Sequence, residues 1–243
     1  MSKRARERRI AAQRRRRLIA GAGGAVIVGL LIAIVVSLVN AAGGSREGTT
    51  ASPANVAAPA GATAKGALVA GRPDASVTVE VYLDYMCPFC GRFERANSAE
   101  LQRLVADGTA RLELYPLSFL DRMSEGTRYS TRAANAVATV ADRAPDRLLA
   151  FHAALFAHQP GEGTPGLLDS DLAALARAAG VPAGVVDLFA RSLFEPWIAA
   201  STAAAFDGGI TGTPTVKING RVFKGDLYSA GPFGAAVTAA RSR

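Results

Sequence analysis

Cysteine is scarce in this chain, and the scarcity limits what the two cysteines can do. Only two occur among 243 residues, and both lie in the run Cys87-Pro88-Phe89-Cys90. A structural disulfide stabilises a fold mainly by constraining the unfolded chain, so it normally closes a long loop. A bridge across four residues would constrain very little. Reactive thiol chemistry therefore explains the pair better than structural cross-linking does.

Histidine is equally scarce, which limits metal binding. The chain has two histidines, His152 and His158, both distant in sequence from the cysteines. A tetrahedral zinc site needs four ligands, so such a site is poorly supported. Copper(I) accepts two soft thiolates, and Met86 offers a third ligand, so a copper(I)-binding module stays open as an alternative of a different class.

The two histidines have simpler interpretations. His152 shares a helix face with Leu148 and Leu155, and we expect it to be semi-buried with its hydrogen bonds satisfied. His158 lies near a predicted helix end, where it would interact with the helix dipole. Neither histidine is predicted to be catalytic.

Most of the chain lacks an excess of either charge. The formal net charge is +8, from 28 Lys and Arg against 20 Asp and Glu. Residues 1–17 contain nine Lys or Arg and one Glu, and the remainder holds 19 residues of each sign. The neutral remainder lacks the basic face of a nucleic-acid-binding domain, so no nucleic acid partner is indicated.

The stretch after the basic segment lacks charge altogether. It runs for 22 residues from Leu18 to Val39, and a helix needs about 20 residues to cross the hydrocarbon of a bilayer. Positive residues flanking a span stay in the cytoplasm. We therefore predict a basic cytoplasmic tail over 1–17, a transmembrane helix over 18–40, and a domain on the outer side of the cell membrane.

A cleaved signal peptide is the alternative interpretation of the apolar stretch. Val39-Asn40-Ala41 loosely resembles a cleavage site of small residues. The apolar run, however, exceeds the roughly 7 to 15 residues of a signal peptide's core, which favours an uncleaved anchor. Residues 41–66 are small, polar and interrupted by Pro and Gly, and they are predicted to be a flexible linker to a domain over 67–243.

The two cysteines are predicted to lie where a strand passes into a helix. The stretch from Val77 to Leu83 alternates apolar and polar residues, as in a strand buried on one face. Pro88 suits the first turn of a helix that continues to Asp107-Gly108. At the helix N-terminus the thiolate of Cys87 would be stabilised, so its pKa should fall below about 8.5. Cys87 is the predicted nucleophile, and the deeper Cys90 is the predicted resolving thiol.

The remaining pattern predicts an α/β domain with a helical block in its middle. Residues 110–117 alternate as a second strand. Residues of about 124–206 are rich in Ala and predict several helices, including one with Ser170 as its N-cap and another around 183–192. Strand patterns return at Thr215–Ile218 and Arg221–Lys224 around Asn219-Gly220, a type I′ hairpin signal. A final helix is predicted over 231–240.

Two motifs in this order resemble the thioredoxin-fold thiol–disulfide oxidoreductases of the DsbA type. The first is Y-L-D-Y-M-C-P-F-C-G-R-F, residues 82–93, and the second is G-I-T-G-T-P-T-V-K-I-N-G, residues 209–220. The resemblance covers about residues 68–240 and implies a thioredoxin fold with an all-helical insertion. It also implies a cis bond between Thr213 and Pro214 beside the cysteines, with the Thr213 backbone pairing with an extended substrate segment.

The resemblance implies an enzyme that exchanges a Cys87–Cys90 disulfide with cysteines of secreted proteins and needs no bound cofactor. We expect a disulfide-forming oxidase that is recycled by a redox partner, either a membrane protein or a soluble one. The same chemistry run as a reductase or isomerase is the alternative. Pro88-Phe89 lacks the histidine of the most oxidising members, so the couple should be less oxidising than theirs.

The chain also departs from the family at the inner thiol. Many relatives carry a buried acidic residue six positions before the first cysteine, where this chain has Val81. Glu80 should face the opposite side of the sheet because side chains alternate along a strand. Glu80 and Asp84 are accordingly predicted to be ordinary polar positions at a strand edge.

Overall fold

The structure is a computed structural model that describes residues 56–242. The predicted basic tail, the predicted transmembrane helix and the first part of the predicted linker lie outside these residues. Among residues 56–242, no helix is both long enough and apolar enough to cross a membrane.

A mixed sheet forms the centre of the described part of the chain. The strands are β1 (Leu68–Ala70), β2 (Val77–Leu83), β3 (Ala110–Pro116), β4 (Thr215–Ile218) and β5 (Arg221–Val222). Their order in the sheet is β1-β3-β2-β4-β5, with β2 and β3 parallel and the other neighbours antiparallel. The short strand β1 has no counterpart in the sequence prediction.

Strand β2 lies between β3 and β4 and has the predicted alternation. Its four apolar residues at 77, 79, 81 and 83 are buried in the main core. On the other face Tyr82 stacks on Tyr115 of β3, with ring centroids 4.1 Å apart. Both faces of β2 are therefore packed near its carboxyl end, where the chain leaves the sheet.

Helix α1 (Pro88–Ala106) follows β2 and leads to the parallel strand β3. Its buried side includes Cys90, Phe93, Leu101 and Leu104, and the helix ends at Asp107 as predicted. Gly108 follows with φ of +75°, a conformation that favours glycine.

The chain between β3 and β4 is helical, as predicted. Two boundaries differ: the helix expected to begin after Ser170 begins at Asp169, because Asp171 accepts a hydrogen bond from Leu168 N (3.0 Å). The helix expected over 183–192 is one turn, since Gly184 and two valines are poor helix formers. The helices are α2 (Tyr129–Arg143), α3 (Leu148–Ala157), α4 (Asp169–Ala178), α5 (Ala183–Val186) and α6 (Glu195–Asp207).

The C-terminal part has the predicted hairpin and helix. Asn219 and Gly220 have φ of +48° and +77°, and positive φ at both central residues defines a type I′ turn. Strand β5 is shorter than predicted, and α7 (Pro232–Ala239) follows.

The ordered domain begins before residue 67, within the predicted linker. Ala60 N donates to Asp142 Oδ1 (2.7 Å), and Ala67 N donates to Thr63 Oγ1 (3.0 Å). Val56 and Ala62 pack against the main core. A hydrogen bond to α2 and packing against the core thus fix residues whose composition alone indicates a flexible linker.

Candidate active site

Cys87 is the N-cap residue of α1, with Pro88 in the first turn of the helix. The chain reaches this position by a tight turn after β2, in which Cys87 N donates to Asp84 O (3.0 Å). The first N–H groups of a helix have no partner within the helix, and they favour a negative charge placed beside them. Strand, turn and helix together therefore hold the Cys87 sulfur at an anion-stabilising position.

The surroundings of Cys87 lower its pKa to about 6. The largest cause is a hydrogen bond from the Cys90 thiol, and the Thr213 side chain and the N–H groups of Cys90 and Phe89 act in the same direction. Burial opposes them. The Thr213 carbonyl also accepts a hydrogen bond from Cys87 Sγ (3.3 Å), which favours the protonated thiol. The net result agrees with the direction expected from the sequence: Cys87 is mainly thiolate at neutral pH.

Cys90 has the opposite character. It is 1% exposed, and burial raises the pKa of its thiol well above the ordinary value, with the neighbouring Cys87 adding to the increase. Both cysteines are free thiols in this structure. The arrangement combines an outer, ionised sulfur with an inner, protonated one.

Thr213 and Pro214 lie beside the cysteines, although 126 positions separate Thr213 from Cys87. Strand β4 pairs with β2, with Thr215 opposite Tyr82, and this register brings the preceding residues to the end of β2. The Thr213–Pro214 bond is cis, which confirms the geometry implied by the resemblance.

An aromatic patch with a cation at its centre lies next to Cys87. Phe89 is 49% exposed, and Tyr228, from the segment before α7, is 39% exposed. The Arg92 guanidinium lies 4.6 Å from the Tyr228 ring centroid and 5.7 Å from that of Phe89. Phe89 is predicted from its place in the motif, whereas no sequence pattern points to Tyr228.

Asp84 is not an ordinary residue at a strand edge, and that prediction was wrong. Its side chain is fully buried and accepts hydrogen bonds from Met86 N (2.8 Å), Leu120 N (2.8 Å) and Ser130 Oγ (2.7 Å). Burial nevertheless raises its pKa to about 6. Asp84 belongs to the turn before Cys87, and the helical insertion covers it through Ser130. Glu80 lies on the face opposite Val81, as predicted, and Tyr82 Oη donates to it (3.2 Å).

A buried polar chain joins α1 to the helical insertion. Glu94 Oε1 lies 3.1 Å from His152 Nε2, and Tyr85 Oη lies 2.9 Å from His152 Nδ1. His152 has both ring nitrogens paired, as predicted, but it is almost fully buried. Glu94 was missed, although it lies four residues after Cys90 and therefore on the same side of α1. His158 is exposed at the end of α3, with Nδ1 3.0 Å from Ala154 O.

Metal ligands are not grouped in the described part of the chain. Across residues 56–242, no three His, Cys, Asp or Glu side chains lie together in an arrangement that could hold a metal ion. Met86, the third ligand considered for copper(I), is buried in the main core.

The chain was compared with protein-family models and with curated proteins, and it has matches in both. A family model described as Thioredoxin matches residues 63–231. Disulfide bond formation protein D of Bacillus subtilis is 32% identical over 165 residues, which cover 66% of this chain and 71% of that protein. Serine/threonine-protein kinase PknE of Mycobacterium tuberculosis is 35% identical over 114 residues. That match covers 45% of this chain and only 20% of the kinase, so no kinase activity is carried over.

Solved structures agree with the family match. MdbA, a thiol–disulfide oxidoreductase from Actinomyces oris, has a TM-score of 0.65 and 25% identity, covering 74% of this chain and 88% of that one. Reduced DsbA from Mycobacterium tuberculosis has a TM-score of 0.59 and 26% identity, covering 72% and 99%.

Proposed function

The chain belongs to the thioredoxin family and is a DsbA-type thiol–disulfide oxidoreductase, and from this premise we propose that it forms disulfides in proteins outside the cytoplasm. The observation that carries the proposal is the placement of the two thiols. Cys87 lies at the N-terminus of α1 and Cys90 is buried beneath it, so the pKa of Cys87 is lowered and that of Cys90 is raised. A stabilised Cys87 thiolate favours the reduced form of the enzyme, which makes its disulfide a better oxidant.

In the proposed reaction, a client thiolate attacks Cys87 Sγ of the Cys87–Cys90 disulfide. A bond between the client and Cys87 forms while the Cys87–Cys90 bond breaks, and the electron pair leaves on Cys90. Cys90 takes up one proton because of its raised pKa. A second client thiolate then attacks the client sulfur of the mixed disulfide and releases Cys87 as a thiolate. The client loses two electrons, and the cysteine pair gains them.

Substrate binding is proposed for Thr213 and Pro214. The Thr213 carbonyl lies 3.3 Å from Cys87 Sγ, so a segment that presents a cysteine to Cys87 comes within reach of this backbone. Hydrogen bonds to main-chain groups place little demand on client side chains, which suits an enzyme with many clients. The exposed rings of Phe89 and Tyr228 provide apolar contact beside the reacting sulfur. Pro88 and Phe89 also tune the redox couple, since they occupy the first turn of α1.

Location and recycling complete the proposal. We propose that residues 18–40 anchor the protein with its N-terminus in the cytoplasm, and that the domain acts on cysteine-containing proteins on the outer side. A redox partner in the membrane or outside it reoxidises the pair. No cofactor is needed, because the two sulfurs carry both electrons.

Trapping tests the proposal. In cells producing full-length Cys90→Ser protein, the Cys87 thiolate should attack disulfides of client proteins, and one client sulfur leaves as a thiolate. The resulting mixed disulfides on Cys87 should accumulate, since the inner thiol can no longer release them, and reducing agent should dissolve the adducts. A membrane-impermeant maleimide added to intact cells before lysis should modify Cys87.

The matched control is Cys87→Ser/Cys90→Ser, which should trap nothing. Absence of adducts with the single variant folded and expressed would contradict the catalytic assignment. Protection of Cys87 from the maleimide until the cells are lysed would contradict the location.

A further inference from the structure

Gln159 lies directly against the first turn of α1, although it belongs to the helical insertion. It follows the C-cap residue of α3, His158, and precedes Pro160. Its side-chain amide donates from Nε2 to Cys87 O (2.8 Å) and to Tyr85 O (3.2 Å). Both partners are carbonyl oxygens that can only accept hydrogen bonds, so the NH₂ group must face them.

The two carbonyls enclose the turn that presents the nucleophile. Tyr85 and Cys87 flank Met86, and Cys87 O also accepts the first hydrogen bond of α1, from Gly91 N (3.2 Å). One amide group thus fixes two peptide planes at the entry to the helix. Their orientation bears on where the N–H groups of Phe89 and Cys90 point. After the Cys90 thiol and the Thr213 side chain, these N–H groups also lower the pKa of Cys87.

Gly91 leaves the space in which this amide lies. A Cβ atom at position 91 would overlap Gln159 Oε1 and lie 2.9 Å from Gln159 Cδ. Gly91 is an interior helix position without positive φ, so glycine is not required there by backbone conformation. The residue after the motif is therefore fitted to the side chain at 159.

We infer that Gln159 is a positioning residue for Cys87 and that Gly91 is its docking position. Through this contact, the end of α3 holds the helix N-terminus in the geometry that keeps Cys87 ionised. The inference rests on the proposed function only in that Cys87 is the reacting thiol.

The test is the pH dependence of Cys87 alkylation in the reduced, full-length chain. Gln159→Met keeps the length of the side chain but removes the NH₂ donor. Its Cys87 pKa should rise by roughly half to one unit, because the displaced N–H groups lose the equivalent of about one neutral hydrogen bond to the thiolate. Well below pH 6 the thiolate fraction should then be about three- to ten-fold smaller, because each pKa unit lowers it tenfold.

A substitution at Gly91 in α1 tests the same contact with Gln159. Gly91→Ala should displace the Gln159 amide and raise the Cys87 pKa in the same direction. In the double variant Gly91→Ala/Gln159→Met, the Cys87 pKa should rise little further, because both substitutions remove the same interaction. Additive shifts in the double variant would contradict the inference.

Asn135→Ala is the matched control. Asn135 is another amide of the insertion that bonds two backbone groups, Phe189 O (3.2 Å) and Phe194 N (3.0 Å), away from the cysteines. It should lower the free energy of unfolding without moving the Cys87 pKa. If Gln159→Met and Gly91→Ala likewise lower stability but leave the Cys87 pKa unchanged, Gln159 is only structural and the inference fails. Because the titration needs no client, this result is independent of the trapping experiment.

Discussion

At the scale of single residues, the site is governed by how burial and hydrogen bonds divide charge among neighbouring groups. Cys87 and Cys90 are three residues apart, yet one pKa is lowered to about 6 and the other is raised. Asp84 lies in the same turn and is fully buried. Its three donors favour the carboxylate, but burial outweighs them and raises its pKa from 3.8 to about 6.

The raised pKa of Asp84 predicts a specific dependence of stability on pH. The folded protein binds the Asp84 proton more tightly than the unfolded chain does, so this stabilisation is complete below about pH 3.8 and is lost as pH rises through about 6. In a Cys87→Ser/Cys90→Ser background, which removes thiol titration, Asp84→Asn should abolish this loss. The difference in unfolding free energy between the two proteins should change by about 2 kcal/mol between pH 4 and 6.

Chemical denaturation across this pH range measures the difference. Asp74→Asn is the control, because Asp74 is exposed and its pKa is lowered by Arg72, so it should not contribute between pH 4 and 6. If the protein with Asp84 and its Asp84→Asn variant show the same dependence of unfolding free energy on pH, the three hydrogen bonds keep the Asp84 pKa at its ordinary value.

At the scale of secondary-structure elements, the sequence pattern correctly predicted the features that depend only on residues close together in the sequence. The alternation in β2, the stop of α1 at Asp107 and the Asn219-Gly220 turn are local, and the structure agrees with each. Asp84, Glu94 and Gln159 were misassigned or missed because their surroundings come from distant segments. Their contacts reach Ser130, His152 and Cys87, and the last pair is 72 positions apart. Periodicity places Glu94 on the buried side of α1, but it cannot identify its partner.

The contact between α1 and α3 leads to a prediction about Glu94 and His152. His152→Leu leaves Glu94 buried without its partner, and should lower the free energy of unfolding by about 3 kcal/mol. Adding Glu94→Leu should restore more than half of this loss, because the unpaired carboxylate is removed. Tyr85 Oη lacks its partner in both variants, so its contribution cancels.

Urea denaturation of the two single variants and the double variant measures this coupling. His158→Leu is the control, since His158 is exposed and has one backbone contact. Losses that simply add in the double variant would show that Glu94 and His152 do not depend on each other.

At the scale of the whole molecule, the sheet, the inserted helices and the β4 register bring distant segments to one sulfur. The insertion supplies Ser130, His152 and Gln159, and the segment before β4 supplies Thr213. In the proposed function, the Cys87 thiolate stabilises the reduced state and so favours the oxidase direction.

The reduction potential of the Cys87–Cys90 pair tests that direction. Thiolate pKa values of about 7 and 3.5 accompany potentials of about −270 mV in thioredoxin and −120 mV in DsbA. With a Cys87 pKa of about 6, the potential should be less negative than thioredoxin's, by about 30 mV for the one pKa unit between them. Reduction also takes up one proton, at Cys90, above pH 6 and two below it, so the potential should change by about 30 and 59 mV per pH unit respectively.

Equilibration of the domain with glutathione buffers from pH 5 to 8 gives both the potential and its slope. Gln159→Met should move the break in slope upward together with the Cys87 pKa, whereas Asn135→Ala should leave the break in place. A potential at or below about −270 mV would reject the oxidase and favour the reductase, because the reduced pair would then pass its two electrons to glutathione disulfide and to client disulfides. A slope without a break near pH 6 would mean that Cys87 is not the group that holds the charge of the reduced state.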